Sequence, residues 1–308
     1  MTDPELIVDR RRLRRSRSLW RGAAILLGVG VLAVAAGRSE LARDYSPFVA
    51  ELRVSGMIVE DQRRLETLED VMAKRSAKAL LVRIDSPGGT VVGGESLFRA
   101  IREVAADKPV VAVMGEMAAS GGYMVAIAAD RIFAREGTIT GSIGVMLQTT
   151  EVTGLLEKLG VSAEAIKSAP LKAVPSPFEL LTPAVRAATQ EIVDDMYAMF
   201  VDMVAERRGL EPDKAKTLAD GRVYTGRQAL ANGLIDQIGG VNEARAWLEE
   251  KGVSGDLPLR EIKVWREEDW LGGLARASIR AVFGKTYLPE RLTLDGLVAV
   301  WHPELRIR

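Results

Sequence analysis

Ser120 is presented in a way that is typical of a catalytic nucleophile. It follows an apolar run that predicts a strand, and it stands in the segment Met117–Tyr123, MAASGGY. The chain has a single histidine, His302, close to its C-terminal end, and no cysteine. If Ser120 is catalytic, a group other than imidazole therefore has to accept its proton. This restriction narrows the possible chemistry more than any other feature of the sequence.

Two glycine-rich segments, 86–89 (SPGG) and 120–122 (SGG), each follow an apolar strand-like run. Loops at the carboxyl ends of parallel strands form the usual ligand crevice of an open sheet, and glycines let backbone amides approach a ligand. We predict an oxyanion hole from the amide of Gly121 and that of Gly89 or Gly88. Either segment alone is equally typical of an ordinary strand-to-helix turn, but the presence of both favours the oxyanion hole.

The same segments lack the spacing of nucleotide-binding loops, and the sequence has no histidine or cysteine cluster for a metal. We therefore expect no cofactor and no metal ion. Lysine and arginine together equal aspartate and glutamate, 42 of each, so the overall charge favours no nucleic-acid partner.

A lysine is the remaining candidate for the base, since a neutral amine can accept the proton of a serine hydroxyl. Lys172 lies in the run 169–175, APLKAVP, where apolar residues flank it on both sides. Lys158 and Lys214 instead have acidic neighbours. Taken alone, Lys172 is more typical of a surface lysine whose aliphatic stem lies along apolar residues.

Several motifs together resemble the signal peptide peptidase A family, in its short single-domain bacterial form. The motifs occur in the family's order between about Leu52 and Ala246, and they are DSPGG (85–89), ASGGY (119–123), TGSIG (140–144) and DGRVYTG (220–226). The resemblance implies a membrane-anchored Ser-Lys protease with a fold related to ClpP and the crotonases, which degrades remnant signal peptides after their release.

By motif position, the resemblance makes Ser120 the nucleophile, Lys172 the general base and Ser142 the residue that orients the lysine. It also implies a homo-oligomer, a dome-shaped octamer, in which the serine and the lysine come from neighbouring subunits. The family usually has Lys-Ser-Gly-x-x-Lys-Asp around its lysine, whereas Ala169 and Ala173 replace the glycine and the aspartate here. Lys167 is the second choice for the base.

The rest of the sequence predicts an α/β fold. Nearly continuous apolar runs such as 79–84 (ALLVRI) and 109–114 (PVVAVM) alternate with segments of helical spacing, which is typical of a parallel sheet covered on both faces. Residues 182–208 form the longest helical pattern, beginning at Thr182-Pro183 and ending at Gly209. We expect a parallel-sheet domain with flanking helices.

The N-terminal segment predicts a membrane anchor. Seven arginines between Arg10 and Arg21 precede residues 22–37, which carry no charge. A cleaved signal peptide is the alternative to an uncleaved transmembrane helix. Because arginines resist translocation, we expect a cytoplasmic N-terminus and a catalytic domain on the extracytoplasmic side of a bacterial inner membrane. The predicted domains are a basic segment (1–20), an anchor (21–37), a linker (38–47), a protease domain (48–250) and a C-terminal extension (251–308).

The weakly amphipathic run 270–283 within the extension could lie on the membrane, contact a partner subunit or cover the core. Two other functions compete with a protease. A crotonase-type acyl-CoA enzyme would use similar oxyanion amides but would leave the Ser-Gly-Gly run without a role, and an inactive peptide-binding scaffold would not need Ser120 and Lys172.

Overall fold

The computed structural model describes residues 46–262 and 297–300, and the chain divides into two units at Pro47. The described strands are β1 (Phe48–Ile58), β2 (Ala77–Thr90), β3 (Val110–Ala119), β4 (Arg131–Ala134), β5 (Ile139–Gly141), β6 (Met146–Leu147), β7 (Val223–Thr225), β8 (Gln237–Ile238), β9 (Leu259–Glu261) and β10 (Leu297–Val300). The described helices are α1 (Gln62–Ala73), α2 (Val91–Ala105), α3 (Gly121–Ala126), α4 (Thr153–Lys158), α5 (Pro183–Arg208), α6 (Pro212–Leu218), α7 (Gly226–Asn232) and α8 (Val241–Glu250).

All described strands belong to one sheet, whose main path is β6-β10-β2-β3-β4-β8. β1 also pairs with β2 and β9, and β5 pairs with β3 and β7. The pairs among β1, β2, β3, β4, β8 and β9 are parallel, whereas β5–β7, β10–β2 and β10–β6 are antiparallel. The predicted α/β class is confirmed, but the sheet is mixed rather than purely parallel.

The sheet is buried on both faces, as the continuous apolar runs predict. Side chains alternate along β2, so that Leu80, Val82 and Ile84 join one core cluster with residues of α1, α2, α3 and α5. Ala79 and Leu81 face the opposite way and join a second cluster, which α8 covers with Trp247 and Leu248. The strands that lead to the candidate site are therefore fixed from two sides.

The long helix α5 has the predicted boundaries. The Thr182 side chain accepts a hydrogen bond from the amide of Val185, proline follows at the first helical position, and Gly209 ends the helix in the left-handed conformation. None of the helices among residues 46–262 combines the length and the hydrophobicity that crossing a membrane requires. The predicted anchor (21–37) and the run 270–283 lie outside the described residues.

The prediction of a glycine-rich turn at residues 86–89 is wrong. β2 continues through this segment to Thr90, because β1 pairs with it up to Met57↔Gly88 and Ile58↔Gly89. Long-range strand pairing outweighs the low strand propensity of Pro-Gly-Gly, which was the only local signal. The helix α2 then begins at once, with the Thr90 side chain accepting from the amide of Gly93.

Candidate active site

Ser120 lies at the sharp change of direction between β3 and α3. Its backbone has φ 55° and ψ −118°, a conformation that residues with a side chain rarely adopt. The side chain is almost fully buried, at 1% exposure, and it makes no hydrogen bond with the described residues. A strained residue of this kind persists only where its surroundings hold it, and such residues concentrate at functional sites. A serine on a sharp strand-to-helix turn is also how α/β-hydrolases present their nucleophile.

Neighbouring backbone holds Ser120 in this conformation. Its amide donates to the carbonyl of Gly141 at 2.7 Å, and its own carbonyl accepts from the amide of Met124 at 2.9 Å. A Cβ atom on Gly122 would lie 2.9 Å from the carbonyl oxygen of Ser86, so only glycine fits there without displacing β2. The second glycine of the Ser-Gly-Gly run is thus required by the close approach of α3 to β2.

The far end of α3 is tied down by two arginines. Arg207 donates from Nε to the carbonyl of Ile127 at 2.9 Å and from Nη2 to that of Ala129 at 3.0 Å. Arg102 donates to the carbonyl of Ala128, between them, at 2.9 Å. Cationic donors satisfy the carbonyls that a helix leaves without partners at its C-terminus. Burial lowers the pKa of Arg207.

Tyr123 anchors α3 from its side. Its hydroxyl, fully buried, donates to the carbonyl of Leu234 at 2.8 Å. Burial raises the pKa of this hydroxyl above its ordinary value. The helix that carries the serine at its N-terminal end is therefore held at three consecutive carbonyls and one side chain.

Ser142 follows a strand that pairs with the strand leading to Ser120. Ala119 is paired with Gly141 across β3 and β5, so the residues that follow them, Ser120 and Ser142, leave the sheet at the same level. Ser142 also has a positive φ, 50°, and is 8% exposed. Its amide donates to the carbonyl of Arg222 at 2.8 Å.

The motif Asp220-Gly221-Arg222 positions Ser142, because the carbonyl of Arg222 accepts from the amide of Ser142. The carboxylate of Asp220 accepts from the backbone amide of Arg222 at 3.1 Å and from its Nε at 2.6 Å. The hydrogen bonds from Arg222 lower the pKa of Asp220. These hydrogen bonds order the loop and so hold the Arg222 carbonyl that accepts from the amide of Ser142. The strand β7 follows the loop and pairs with β5.

The two candidate amides of the second glycine segment differ. The amide of Gly88 donates to Oγ of Ser86 at 3.1 Å, and the same Oγ donates to the carbonyl of Gly56 at 2.6 Å. Gly89 makes no such side-chain bond, and a Cβ there would overlap the backbone of Ile58. Ser86 therefore engages Gly88 and leaves Gly89 as the better candidate for an oxyanion donor.

Lys172 lies in the segment 160–182, which has no helix or strand. Its side chain is exposed and makes no hydrogen bond or ion pair with any described residue, Ser120 and Ser142 included. The apolar neighbours that single it out in the sequence do not bury it within one chain. Lys167, the second choice, forms an ion pair with Glu179 at 2.5 Å.

The departure at Ala173 has a local consequence. This residue follows Lys172 directly and has φ 58°, and the other described residues with a side chain and a positive φ are Ser120 and Ser142. Alanine in the left-handed region costs roughly 1–2 kcal/mol, and aspartate or asparagine adopts it more readily. The backbone at the candidate base is thus strained, as it is at both serines.

The structure brings Ser120, Gly121, Ser142 and Gly89 to the same edge of the sheet, and it leaves Lys172 outside. Residues that the sequence analysis did not single out support this cluster: Ser86, Tyr123, Arg102, Arg207 and Arg222. Ser86 and Arg222 stand inside the quoted motifs and could have been examined for backbone contacts. The two arginines of the α3 end act over a long sequence separation, and nothing local in the sequence indicates them.

Comparison with known proteins shows the family of this chain. Residues 102–254 match the model of peptidase family S49. A "putative protease" of Synechocystis sp. is 43% identical over 201 residues, which cover 65% of this chain and 72% of that protein. A protein of Enterococcus faecium named "putative signal peptide peptidase SppA" is 36% identical over 215 residues. The match covers 68% of this chain and 62% of that protein.

A ClpP1 mutant from Listeria monocytogenes matches 62% of this chain and 91% of its own at 15% identity, with a TM-score of 0.41. The family match and the Synechocystis relative suffice for the assignment. The chain belongs to peptidase family S49, and it is a serine protease.

Proposed function

We propose that this protein is a membrane-anchored endopeptidase in which Ser120 is the nucleophile and Lys172 of a neighbouring copy is the general base. Its substrates are remnant signal peptides and similar apolar, extended segments. The observation that carries the proposal is Ser120 itself, held at φ 55° on the strand-to-helix turn, with no hydrogen-bond partner for its hydroxyl among the described residues. A hydroxyl without an internal partner is free to meet both a base and a substrate carbonyl.

The reaction is acyl transfer. Lys172 takes the hydroxyl proton of Ser120 as Oγ attacks the carbonyl carbon of the substrate, and the resulting oxyanion accepts from the amides of Gly121 and Gly89. The amide C–N bond then breaks, and the lysine ammonium gives the proton to the departing amine. Water repeats the sequence on the ester and frees Ser120. Ser142, beside Ser120, orients the amine.

We infer a neighbouring copy as the source of the lysine from the exposed surface of the segment that carries Lys172. Lys172 has no partner within the described part of its own chain, whereas the segment around it exposes many large apolar side chains: Leu155, Leu159, Val161, Ile166, Leu171, Phe178 and Leu180. A monomer rarely leaves so much apolar surface in water. A second copy of this chain that covers the segment would bury the lysine and bring it to Ser120, and repetition of such a head-to-tail contact closes a ring.

The location outside the cytoplasm rests on the N-terminal sequence. Arginines before the uncharged stretch 22–37 favour a cytoplasmic N-terminus with the remaining chain across the membrane. A protease at that membrane surface would meet the hydrophobic fragments left by signal-sequence cleavage. The name of the Enterococcus faecium relative supports this substrate class.

The proposal is tested by hydrolysis of a signal-sequence peptide with detergent-solubilised protein. Ser120→Ala and Lys172→Ala each should lower kcat by roughly 10⁴-fold or more, because neither proton transfer nor attack remains. Lys158→Ala is the matched control, since Lys158 is also an exposed lysine of the same region, and it should retain parent activity.

Mixing the two inactive variants tests the shared site. In randomly mixed oligomers half of the sites carry Ser120 and half of their neighbours carry Lys172, so about a quarter of the parent activity should return. No recovery in oligomers proven to be mixed would show that serine and lysine act within one chain. Parent-like activity of Ser120→Ala would refute the nucleophile.

A further inference from the structure

Strand β3 contains a bulge just before it reaches Ser120. The pairing of β2 with β3 runs without interruption to Ile84↔Met114 and resumes at Ser86↔Ala118. β2 therefore advances by two residues where β3 advances by four, so β3 holds two extra residues at this point. Bulges are rare in parallel pairs, and they are over-represented beside active sites, where they change the direction of a side chain.

The same stretch of β3 changes its neighbour on the other edge. Pairs with β4 end at Val113, and pairs with β5 begin at Met117. Gly115 and Glu116 thus have no partner residue in any of the described registers of β3. Because backbone amides and carbonyls require hydrogen-bond partners, groups outside the regular strand pairing have to serve this stretch.

Two side chains hold the bulge, one on each side. Asp85 of β2 accepts from the amide of Met117 through Oδ1 at 3.1 Å. Thr138, which directly precedes β5 and is buried, donates from Oγ1 to the carbonyl of Gly115 at 2.8 Å. The Asp85 side chain also lies against Gly115, where a Cβ atom would be 3.3 Å from the carboxyl carbon. The bulge is therefore fixed between a carboxylate and a hydroxyl.

The bulge sets the level of Ser120 along the sheet. Beyond it, Ser86 and Ala118 restore the pairing of the two strands. Ser120 stands two residues after Ala118. Gly89, the better oxyanion candidate, stands three residues after Ser86. A change of the bulge that shortens or lengthens β3 would shift Ser120 relative to Gly89, and a misplacement of about 1 Å can lower a rate about 10²-fold.

We propose that Asp85 is a positioning residue for the nucleophile: its carboxylate oxygen holds the bulge of β3 and so sets Ser120 at the level of Gly89. The proposal rests on the proposed function for the roles of Ser120 and Gly89. The side chain of Asp85 is exposed, so its removal leaves no cavity and should change stability little. Its effect should instead appear in the rate of the reaction.

The test measures kcat and KM separately, for hydrolysis of a signal-sequence peptide by the detergent-solubilised full chain. Asp85→Ala should lower kcat by about 10- to 100-fold and leave KM within about twofold, because the serine is displaced while the peptide-binding surface is kept. Asp85→Asn keeps an oxygen that can accept from the Met117 amide, so its kcat should stay within about threefold of the parent. Glu116→Ala removes another exposed carboxylate from the bulge and is the matched control, with parent activity expected.

A further variant, Asp85→Glu, separates hydrogen-bond geometry from charge. It keeps the charge but places the carboxylate one methylene further from the backbone, so its kcat should fall below that of Asp85→Asn. Thermal melting checks that each variant is folded, with a Tm expected within about 3 °C of the parent. The comparison of Asp85→Asn with Asp85→Glu decides the question even if Asp85→Ala does not fold.

Three results would overturn the proposal. Parent-like kcat of Asp85→Ala would show that the bulge does not need the carboxylate. A higher KM with unchanged kcat would show that Asp85 contacts the substrate. A higher kcat for Asp85→Glu than for Asp85→Asn would assign the effect to charge. Failure of the proposed function is a separate result, because it would appear as parent-like activity of Ser120→Ala.

Discussion

The regions that hold Ser120 and Lys172 differ in almost every physical respect. Ser120 lies among buried strands, the helix that follows it is tied at both ends, and the nearby glycines touch neighbouring backbone. Lys172 lies in an exposed segment with no helix or strand and with apolar side chains facing solvent. The first region is completed by its own chain, whereas the second has the surface of an unfinished interface. On the proposed function, pre-organisation within one chain serves the attacking group, and assembly would supply the base.

The largest expected difference between the two regions is in how an added methyl group changes the free energy of unfolding. Gly89→Ala places a Cβ against the backbone of Ile58, where no flexible side chain can give way, so we expect loss of more than about 3 kcal/mol in the free energy of unfolding, or no folded protein. Gly154→Ala is the matched change in the other region, within α4, where no atom lies within 4 Å of the new Cβ. It should be neutral or slightly stabilising.

Denaturant unfolding of the two variants decides the comparison. Equal, small changes in the unfolding midpoint would mean that the nucleophile region is as adaptable as the exposed segment. The contrast between the regions would then have no energetic basis.

A smaller effect is expected from Tyr123→Phe. The variant leaves the buried carbonyl of Leu234 without its donor, which should lower the free energy of unfolding by about 1–3 kcal/mol. Activity should fall as well if the hydroxyl holds α3 in place. Retained stability at neutral pH would show that this anchor is dispensable.

The pH dependence of unfolding gives an independent signature of Tyr123. Because burial raises the pKa of its hydroxyl, the unfolded chain loses the phenolic proton near pH 10 while the folded chain keeps it. The unfolded state then binds fewer protons, so the free energy of unfolding falls as the pH rises above about 10. The decline should be shallower in Tyr123→Phe. Part of the decline should remain in this variant, because burial also raises the pKa of Tyr224.

The smallest effect on stability is expected in the exposed segment. Ile166 is 100% exposed, so Ile166→Ser should change the free energy of unfolding by less than about 0.5 kcal/mol. If a second copy covers this side chain, self-association should nevertheless weaken by about tenfold, measured by sedimentation velocity. Ser162→Ala, an exposed change in the same segment, is the control and should leave association unchanged. Parent-like association of Ile166→Ser would remove this residue from the interface.

Features that depend on neighbours in the sequence could be predicted well. The apolar runs predicted β2 and β3 as buried strands, Thr182-Pro183 and Gly209 predicted the ends of α5, and the position of Ser120 after a strand and before two glycines predicted its turn. Each of these is specified by residues within a few positions of one another, where backbone preferences and capping act directly.

The features that were missed depend on residues distant in sequence. Pairing with β1 makes residues 86–89 a strand instead of a turn, and Arg207 reaches the end of α3 from another helix. The apolar flanks of Lys172 predicted a shielded amine, but shielding is a property of packing, and no packing within the described chain supplies it.

By itself, the sequence determined the class of chemistry: a serine between a strand and two glycines, almost no histidine, and a lysine that the family motifs select. Only the tertiary structure decided which groups meet. It brought Ser142 to the level of Ser120, engaged Gly88 with Ser86, left Lys172 exposed, and paired β10 with the end of β2. The physical reason is that residue types and local spacing limit what a group can do, whereas strand register and burial, which join distant segments, determine what it can reach.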